Sequence, residues 1–153
     1  MRGETRLLMY YLLAFLVGLG MAVQTAVNTQ LKELIGGPLQ ASLINVIIAA
    51  LALTLLLTLT GNINHWEGIG DGGLNWWKLT GGIIGALYLV GMIVSAPQIG
   101  PANMFSLIVG GQIVTAIVLD HFGLLGFAVH TVTPLRAMGV GMLVISVYII
   151  QSN

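Results

Sequence analysis

Residues 38–60 read PLQASLINVIIAALALTLLLTLT and contain no charged side chain. A helix rises about 1.5 Å per residue, so about 20 apolar residues are enough to cross the hydrocarbon core of a bilayer. In that core every backbone polar group must be satisfied within the protein, and a helix does this with its own hydrogen bonds. The stretch therefore predicts a transmembrane helix and places the chain in the all-α class of membrane proteins.

Composition extends this conclusion to the whole chain. Of 153 residues, 57% are hydrophobic and only 7% are Asp, Glu, Lys or Arg. A soluble domain carries roughly 25% charged residues because its surface faces water. So few charges cannot coat a soluble protein of this size, and the lipid bilayer is the predicted partner of most of the surface. The net charge of zero gives no indication of a nucleic-acid partner, and the lack of cysteine excludes disulfides and thiol chemistry.

Four further apolar stretches accompany this one. We predict a single transmembrane domain, 1–153, with five helices at residues 7–31, 38–60, 79–96, 101–119 and 135–151. Prolines stand at or beside the start of three of them, at Pro38, Pro101 and Pro134. Proline suits the first helical position, since the N–H that it lacks would be unpaired there anyway. The first stretch is too long for the apolar region of a signal peptide, so we interpret it as a retained helix.

The connections between these helices are too short to form a soluble domain. The longest polar one spans residues 61–78, and Asn75 within it is expected to cap the third helix. Trp76 and Trp77 would then form an interfacial aromatic anchor. Residues 120–134 are apolar, broken by glycine and too short to cross the membrane again. We expect an interfacial or partly re-entrant segment there.

Basic residues are divided unequally between the two predicted sides of the membrane. The side away from the N-terminus carries Lys32, and the N-terminal side carries Arg2, Arg6, Lys78 and Arg136. The positive-inside rule therefore favours a cytoplasmic N-terminus and an external C-terminus.

Glycine is abundant, at 21 of 153 residues. Small residues let membrane helices approach closely, where dispersion contacts replace the hydrophobic effect. Gly81 and Gly85, four positions apart, are the best candidate pair, and Gly110 and Gly111 lie near the middle of the fourth helix. We expect helix packing within one bundle at these glycines, with a subunit interface at one of the faces as the alternative.

Uncharged polar side chains within the helices are the candidate substrate-binding residues, because each must find a partner or line a wet cavity. Gln24 and Asn28 are four positions apart and share one face of the first helix. Asn45 lies at the depth of Gln24 in the second helix, and Gln112 lies near the middle of the fourth. These amides either bond helix to helix or form the wall of a half-channel, and we favour the cavity.

Ionisable residues are absent from the centre of every predicted helix. A proton-coupled exporter of cations usually has a carboxylate there. Asp120 lies at the inner end of the fourth helix, where Arg136, Lys78 or His121 can offset its unfavourable position at the negative end of the helix dipole. We expect an ion pair or a capping role for Asp120, with proton coupling as the alternative. We expect no metal site from His121 and His130, and no cofactor.

Two aromatic residues are further candidates for contact with a substrate, Trp77 and Tyr88, although lipid-interface anchoring is the first role expected of Trp77. No nucleophile–base set or metal-ligand spacing occurs within the helices. We therefore expect that the protein is not an enzyme.

Short motifs follow one another in order along nearly the whole chain. They are Gln24-xxx-Asn28-xx-Leu31, Pro38-xx-Ala41-Ser42, Trp76-Trp77-xxx-Gly81-Gly82-xx-Gly85, Pro97-xx-Gly100, Gly111-Gln112, Asp120-His121-Phe122-Gly123-xx-Gly126 and Arg136-xx-Gly139. On these motifs the chain resembles the YdcZ-like five-helix family of the bacterial drug/metabolite transporter (DMT) superfamily. That family commonly has phenylalanine at position 45, so Asn45 departs from its pattern.

The resemblance implies a multi-pass protein of the bacterial cytoplasmic (inner) membrane that is half of a ten-helix inverted-repeat transporter. Transporters of this type bind substrate at the interface of the two halves and open alternately to either side. The resemblance therefore implies an antiparallel dimer, formed by this chain with itself in dual topology or with an oppositely oriented homologue.

These features together predict a small secondary transporter of a small polar or amphipathic metabolite. Neutral amides suit hydrogen bonding to a neutral or zwitterionic solute better than tight capture of a strong cation. Two other classes stay open: a small dual-topology ion channel lined by amides and hydroxyls, and a non-transporting membrane assembly factor that binds its partner through glycine faces.

Overall fold

Five α-helices make up most of the described chain. The computed structural model describes residues 2–64 and 76–152, with side chains from Glu4 onward. The helices are α1 (Arg2–Ile35), α2 (Pro38–Leu59), α3 (Thr80–Ile99), α4 (Pro101–Phe122) and α5 (Pro134–Gln151), with short 3-10 helices at Trp76–Leu79 and Leu124–Gly126. No strand occurs among these residues. All five helices are long and apolar enough to cross a membrane, which confirms the predicted all-α class and the five spans.

α1, α3 and α4 extend beyond the apolar stretches that predicted them, whereas the bounds of α2 and α5 agree with prediction to within one residue. α1 begins at Arg2 and ends at Ile35, and α4 continues to Phe122. An apolar stretch marks the part of a helix that lies in hydrocarbon, whereas helical hydrogen bonding continues through flanking charged residues that are good helix formers. α3 continues through Pro97 and ends at Ile99. A proline so near the helix end is tolerated because only one backbone N–H is missing from the hydrogen bonding of the helix. The predicted cap of α3, Asn75, lies outside the described residues.

The predicted prolines occupy the first turn of their helices. Before Pro134, Thr133 is the N-cap of α5, and its hydroxyl oxygen accepts a hydrogen bond from the Arg136 backbone N–H at 3.3 Å. Before Pro101, Gly100 adopts a φ of +80°, which is open to glycine and strained for other residues. These positions confirm the role of the three prolines in starting α2, α4 and α5.

Contacts between residues divide the chain into two compact units, Met1–Gln98 and Ile99–Asn153. In the first unit, α1 and α2 pack against each other as an antiparallel hairpin. Gly36 and Gly37 make the connection, with Gly36 at a φ of +84° and its N–H bonded to the Lys32 carbonyl at 2.9 Å. So short a connection forces the two helices to lie side by side. The buried residues among those described in this unit are Thr25, Asn28, Gly37, Ala41, Ser42, Met92, Ile93 and Ala96.

The second unit is a helix pair, α4 and α5, joined by an irregular segment. α4 ends at Gly123, whose left-handed conformation lets its N–H bond to the Leu119 carbonyl. The chain then turns back, so that the His130 N–H reaches the Asp120 carbonyl at 2.8 Å. This hydrogen bond holds part of the segment 120–134, for which an interfacial or partly re-entrant position is predicted, against the end of α4.

Most large apolar side chains face outward. Leu51 of α2 and Ile84 of α3 are both 65% exposed, and the other helices present similar surfaces. Soluble proteins rarely expose contiguous apolar surface of this extent. Lipid chains are as apolar as these side chains, so the described helices present a surface suited to lipid contact.

Candidate functional site

Gln24 of α1 and Asn45 of α2 come together across the helical hairpin. The Gln24 Nε2 atom donates a hydrogen bond to Asn45 Oδ1 at 3.4 Å, with Asn45 half-buried and Gln24 exposed. The distance is long for an N–H···O bond. Two candidate residues that are 21 positions apart are therefore neighbours, at the matched depth that the sequence indicated.

Asn28 lies one turn from this pair, towards the connection between the helices. Moving one turn along both helices from the Gln24–Asn45 contact brings Asn28 opposite Ala41. Asn28 is only 4% exposed, and its Nδ2 atom is fully buried with no hydrogen-bond partner among the described residues. A buried polar group left unpaired costs about 1–3 kcal/mol. Asn28 thus carries a buried donor that none of the described residues satisfies.

Thr29 is a candidate that the sequence analysis missed. Its Oγ1 atom is buried and has no partner within residues 2–64 and 76–152. Other hydroxyls on these helices bond to the carbonyl one turn earlier, as Thr25 does to Met21 at 2.9 Å and Ser42 to Pro38 at 2.8 Å. No residue pattern separates Thr29 from Thr25, because only the placement of the hydroxyl shows which one bonds to its own helix.

The remaining candidates for substrate contact lie on other helices than the amide pair. Gln112 is exposed on α4, in the second unit. Trp77 is exposed in the 3-10 helix before α3, with the Lys78 ammonium 6.0 Å from the centre of its ring. Tyr88 is half-buried on α3. Of the six candidates, then, the structure brings Gln24, Asn28 and Asn45 to one region.

Asp120 and Arg136 form an ion pair in the second unit. An Arg136 guanidinium nitrogen (Nη1) lies 3.6 Å from Asp120 Oδ2, and the two side chains are 43% and 36% exposed. The His121 ring nitrogen Nδ1, next to this pair, accepts a hydrogen bond from the Val132 N–H at 3.2 Å. An ion pair this exposed contributes at most about 1 kcal/mol, because solvent screens it. It links the end of α4 to the start of α5.

A known protein family matches this chain over most of its length. The family described as "Putative inner membrane exporter, YdcZ" matches residues 9–149. The chain belongs to this family. No curated protein and no solved structure matches the chain.

Membership of the YdcZ family confirms the resemblance seen in the sequence motifs and the inner-membrane location. The description of the family is that of a membrane exporter, and export is not an enzyme activity. The matched region contains the Gln24–Asn45 contact, the buried Asn28 and the Asp120–Arg136 ion pair. The family description carries no substrate, so the chemistry of the solute has to come from these residues.

The candidate packing glycines of this YdcZ family member lie on open helix faces. A Cβ atom added at Gly81, Gly85 or Gly111 would meet nothing within 4 Å in the described part of the chain. At Gly110 it would meet a Val147 methyl at 3.7 Å, an ordinary contact. Gly110 and Gly111 border an apolar groove of about 360 Å³ between α4 and α5. The described residues alone therefore leave most of these glycines free of close packing.

Proposed function

We propose that this protein is a small secondary transporter that exports a small polar or amphipathic metabolite across the inner membrane. The observation that carries the proposal is the Gln24–Asn45 contact beside the buried Nδ2 group of Asn28, which finds no partner among the residues described. Polar groups on apolar spanning helices are costly, so they mark a pathway or a binding site by default. Family membership supports transport as the activity and export as the direction.

The solute class follows from the chemistry of the amides. Gln and Asn side chains donate and accept hydrogen bonds without carrying charge. Gln24, Asn28 and Asn45 therefore suit a neutral or zwitterionic solute, and Gln112 is proposed to contact it from α4. Trp77 and Tyr88 would contribute apolar ring surface to an amphipathic solute.

The proposed working form is an antiparallel dimer with alternating access. The exposed apolar surface of all five helices supports a second protein partner as well as lipid. Gly81 and Gly85 offer faces on which a neighbouring helix can approach closely. Two oppositely oriented copies would create the inverted repeat from which transporters of this kind build a central site.

Asp120 has a structural role in this proposal. Its contact with Arg136 holds the two ends of the α4–α5 connection together, so the carboxylate is already engaged by a cation. Proton coupling through Asp120 would require that this pair open during the transport cycle.

The proposal is tested by transport in proteoliposomes. Gln24→Ala and Gln112→Ala are compared with wild type for efflux of a solute identified by screening polar metabolites, with Gln151→Ala, an exposed amide at the end of α5, as the matched control. Transport should fall in both site variants and stay unchanged in the control. Unchanged transport in both site variants would show that the site assignment is wrong. Rapid, non-saturable ion flux would instead indicate a channel.

A further inference from the structure

We infer that Asn28 and Thr29 form a subsite that donates hydrogen bonds to the carboxylate of a small zwitterionic solute. The inference rests on the proposed transport function and names the chemistry by which the solute is recognised. It adds Thr29 to the site and gives Asn28 a role different from that of Gln24 and Asn45.

Two buried donors with no partner in the part of the chain that the structure describes stand next to each other on α1. They are the Nδ2 group of Asn28, on a side chain that is 4% exposed, and the hydroxyl of Thr29. Buried polar groups in folded proteins are paired in the great majority of cases. Two unpaired groups at consecutive positions therefore require an explanation beyond helix packing.

Several neighbouring polar groups of the same helical hairpin have partners. Gln24 pairs with Asn45 across the helices, and Thr25 and Ser42 each bond to their own helix. Water is scarce in the hydrocarbon core, so a donor there has few alternatives to a protein or solute partner. The pairing of the surrounding groups singles out Asn28 and Thr29 as donors held ready for a solute.

The chemistry of the two donors defines the complementary group. An amide NH2 group only donates, and a hydroxyl can donate as well, so the solute must present acceptor oxygens. Successive side chains on a helix diverge by about 100°, which suits two acceptor oxygens better than one. A carboxylate supplies two oxygens on a single carbon.

The charge of the solute is limited by the residues around this subsite. α1 has no charged side chain between Arg6 and Lys32, and α2 has none at all. Lys32 and Glu33, the nearest charged residues along α1, carry opposite charges, so the end of this helix offers no net charge to compensate a charged solute. A zwitterion is itself neutral overall, so a small zwitterionic carboxylate fits both the donors and this balance of charge.

The test compares zwitterions with the cations that remain when the carboxylate is removed. Thermal unfolding of the purified protein is measured with glycine, trimethylglycine and L-leucine at millimolar concentration, and with their decarboxylated counterparts methylamine, tetramethylammonium and isopentylamine. At least one zwitterion should raise the unfolding temperature by about 2–4 °C, as expected for a ligand well above its Kd, and the three amines should not. A rise with the amines alone, or with no zwitterion, would overturn the inference.

Three variants separate a ligand role from a structural one. Asn28→Leu and Thr29→Val remove the two donors, and Thr54→Val removes a hydroxyl that is bonded to its own helix at the Ala50 carbonyl. Without solute, the first two should unfold at the wild-type temperature or above, because each loses an unpaired buried group. They should also lose the zwitterion-induced shift, which Thr54→Val should keep. Marked destabilisation of both site variants, or retention of the shift in both, contradicts the subsite.

Transport distinguishes failure of this inference from failure of the proposed function. If a zwitterion binds at Asn28 and Thr29 but is not transported in proteoliposomes, the subsite is supported and the transport proposal is contradicted. If transport is unchanged in Asn28→Leu and Thr29→Val, the transport function is supported and the subsite is contradicted.

Discussion

Gln24 and Asn45 are the residues whose pairing ties the site to the stability of the hairpin. Each amide partly satisfies the other, so a single alanine substitution removes one group and leaves the second without its partner. The bond is long and Gln24 is exposed, so its strength is modest. Two residues proposed to bind a solute are therefore also residues that hold α1 to α2.

A double-mutant cycle on Gln24→Ala and Asn45→Ala should give a favourable coupling of about 0.6 kcal/mol, typical of hydrogen bonds between membrane helices. The measurement is the free energy of unfolding in detergent for both single variants and the double variant. Gln24→Ala with Thr58→Ala is the control cycle. Thr58 lies thirteen positions after Asn45 on α2, about 20 Å along the helix, so additive values are expected. Additivity for Gln24 and Asn45 would show that their contact carries no energy.

At the residue scale, substitution of Asp120 distinguishes an ion-pair role of its carboxylate from a role in proton coupling. Because Arg136 lies 3.6 Å from its carboxylate, we expect that Asp120→Asn keeps transport and its response to a pH gradient. The change should cost at most about 1 kcal/mol of stability, as for other exposed pairs. Glu33→Gln, at the end of α1, is the matched control. Loss of gradient-driven transport in Asp120→Asn alone would assign the proton step to Asp120.

At the scale of the elements, helix ends are specified more sharply than helix faces. Proline at the first turn, the Thr133 cap and the left-handed Gly123 each act through local backbone geometry. Local rules of this kind operate within a few residues and need no tertiary contact. They explain why the starts of α2, α4 and α5 agree with prediction.

Thr133→Ala should destabilise the protein by about 1 kcal/mol, because the Arg136 N–H loses the oxygen that caps it. Thr133→Ser keeps that oxygen and should be close to wild type. Thr131→Ala, in the irregular segment before α5, is the control for loss of an exposed threonine hydroxyl. Thermal unfolding of the purified protein checks the three variants, and equal effects at positions 131 and 133 would contradict the capping role.

For the whole molecule, orientation and assembly decide how a five-helix chain can transport. An odd number of spans puts the two termini on opposite sides of the membrane. The distribution of lysine and arginine favours a cytoplasmic N-terminus. An antiparallel dimer then requires that a second copy insert the other way, or that an inverted homologue supply the partner.

The chain has no cysteine, so one introduced at Ser152→Cys reports the side on which the C-terminus lies. Intact cells are labelled with a membrane-impermeant thiol reagent before and after permeabilisation. The charge bias predicts labelling from outside in most copies, which would point to an inverted homologue as the partner. Labelling of about half the copies would indicate dual topology and an antiparallel homodimer. The wild-type chain is the unlabelled control, and blue-native electrophoresis that shows only monomer would contradict both forms of the dimer.

Much of the fold could be predicted because the free energy of placing each segment in the membrane depends mainly on the residues of that segment. Apolar length sets which stretches cross the membrane, and proline and threonine mark where α2, α4 and α5 begin. Family membership could also be predicted, because each position of the ordered motifs is recognised from its own residue type without tertiary contacts. The two ends of α1 were predicted less well, because this helix continues into charged residues that a count of apolar residues does not include.

The sequence by itself determined the class, the five spans and the polar residues that a pathway would use. Only the tertiary structure decided which of them meet. Helices that are apolar nearly all round have no face that must turn inward, so their rotation and relative register come from packing with a neighbour. That packing joins Gln24 to Asn45 and leaves the Asn28 amide and the Thr29 hydroxyl buried without partners among the described residues.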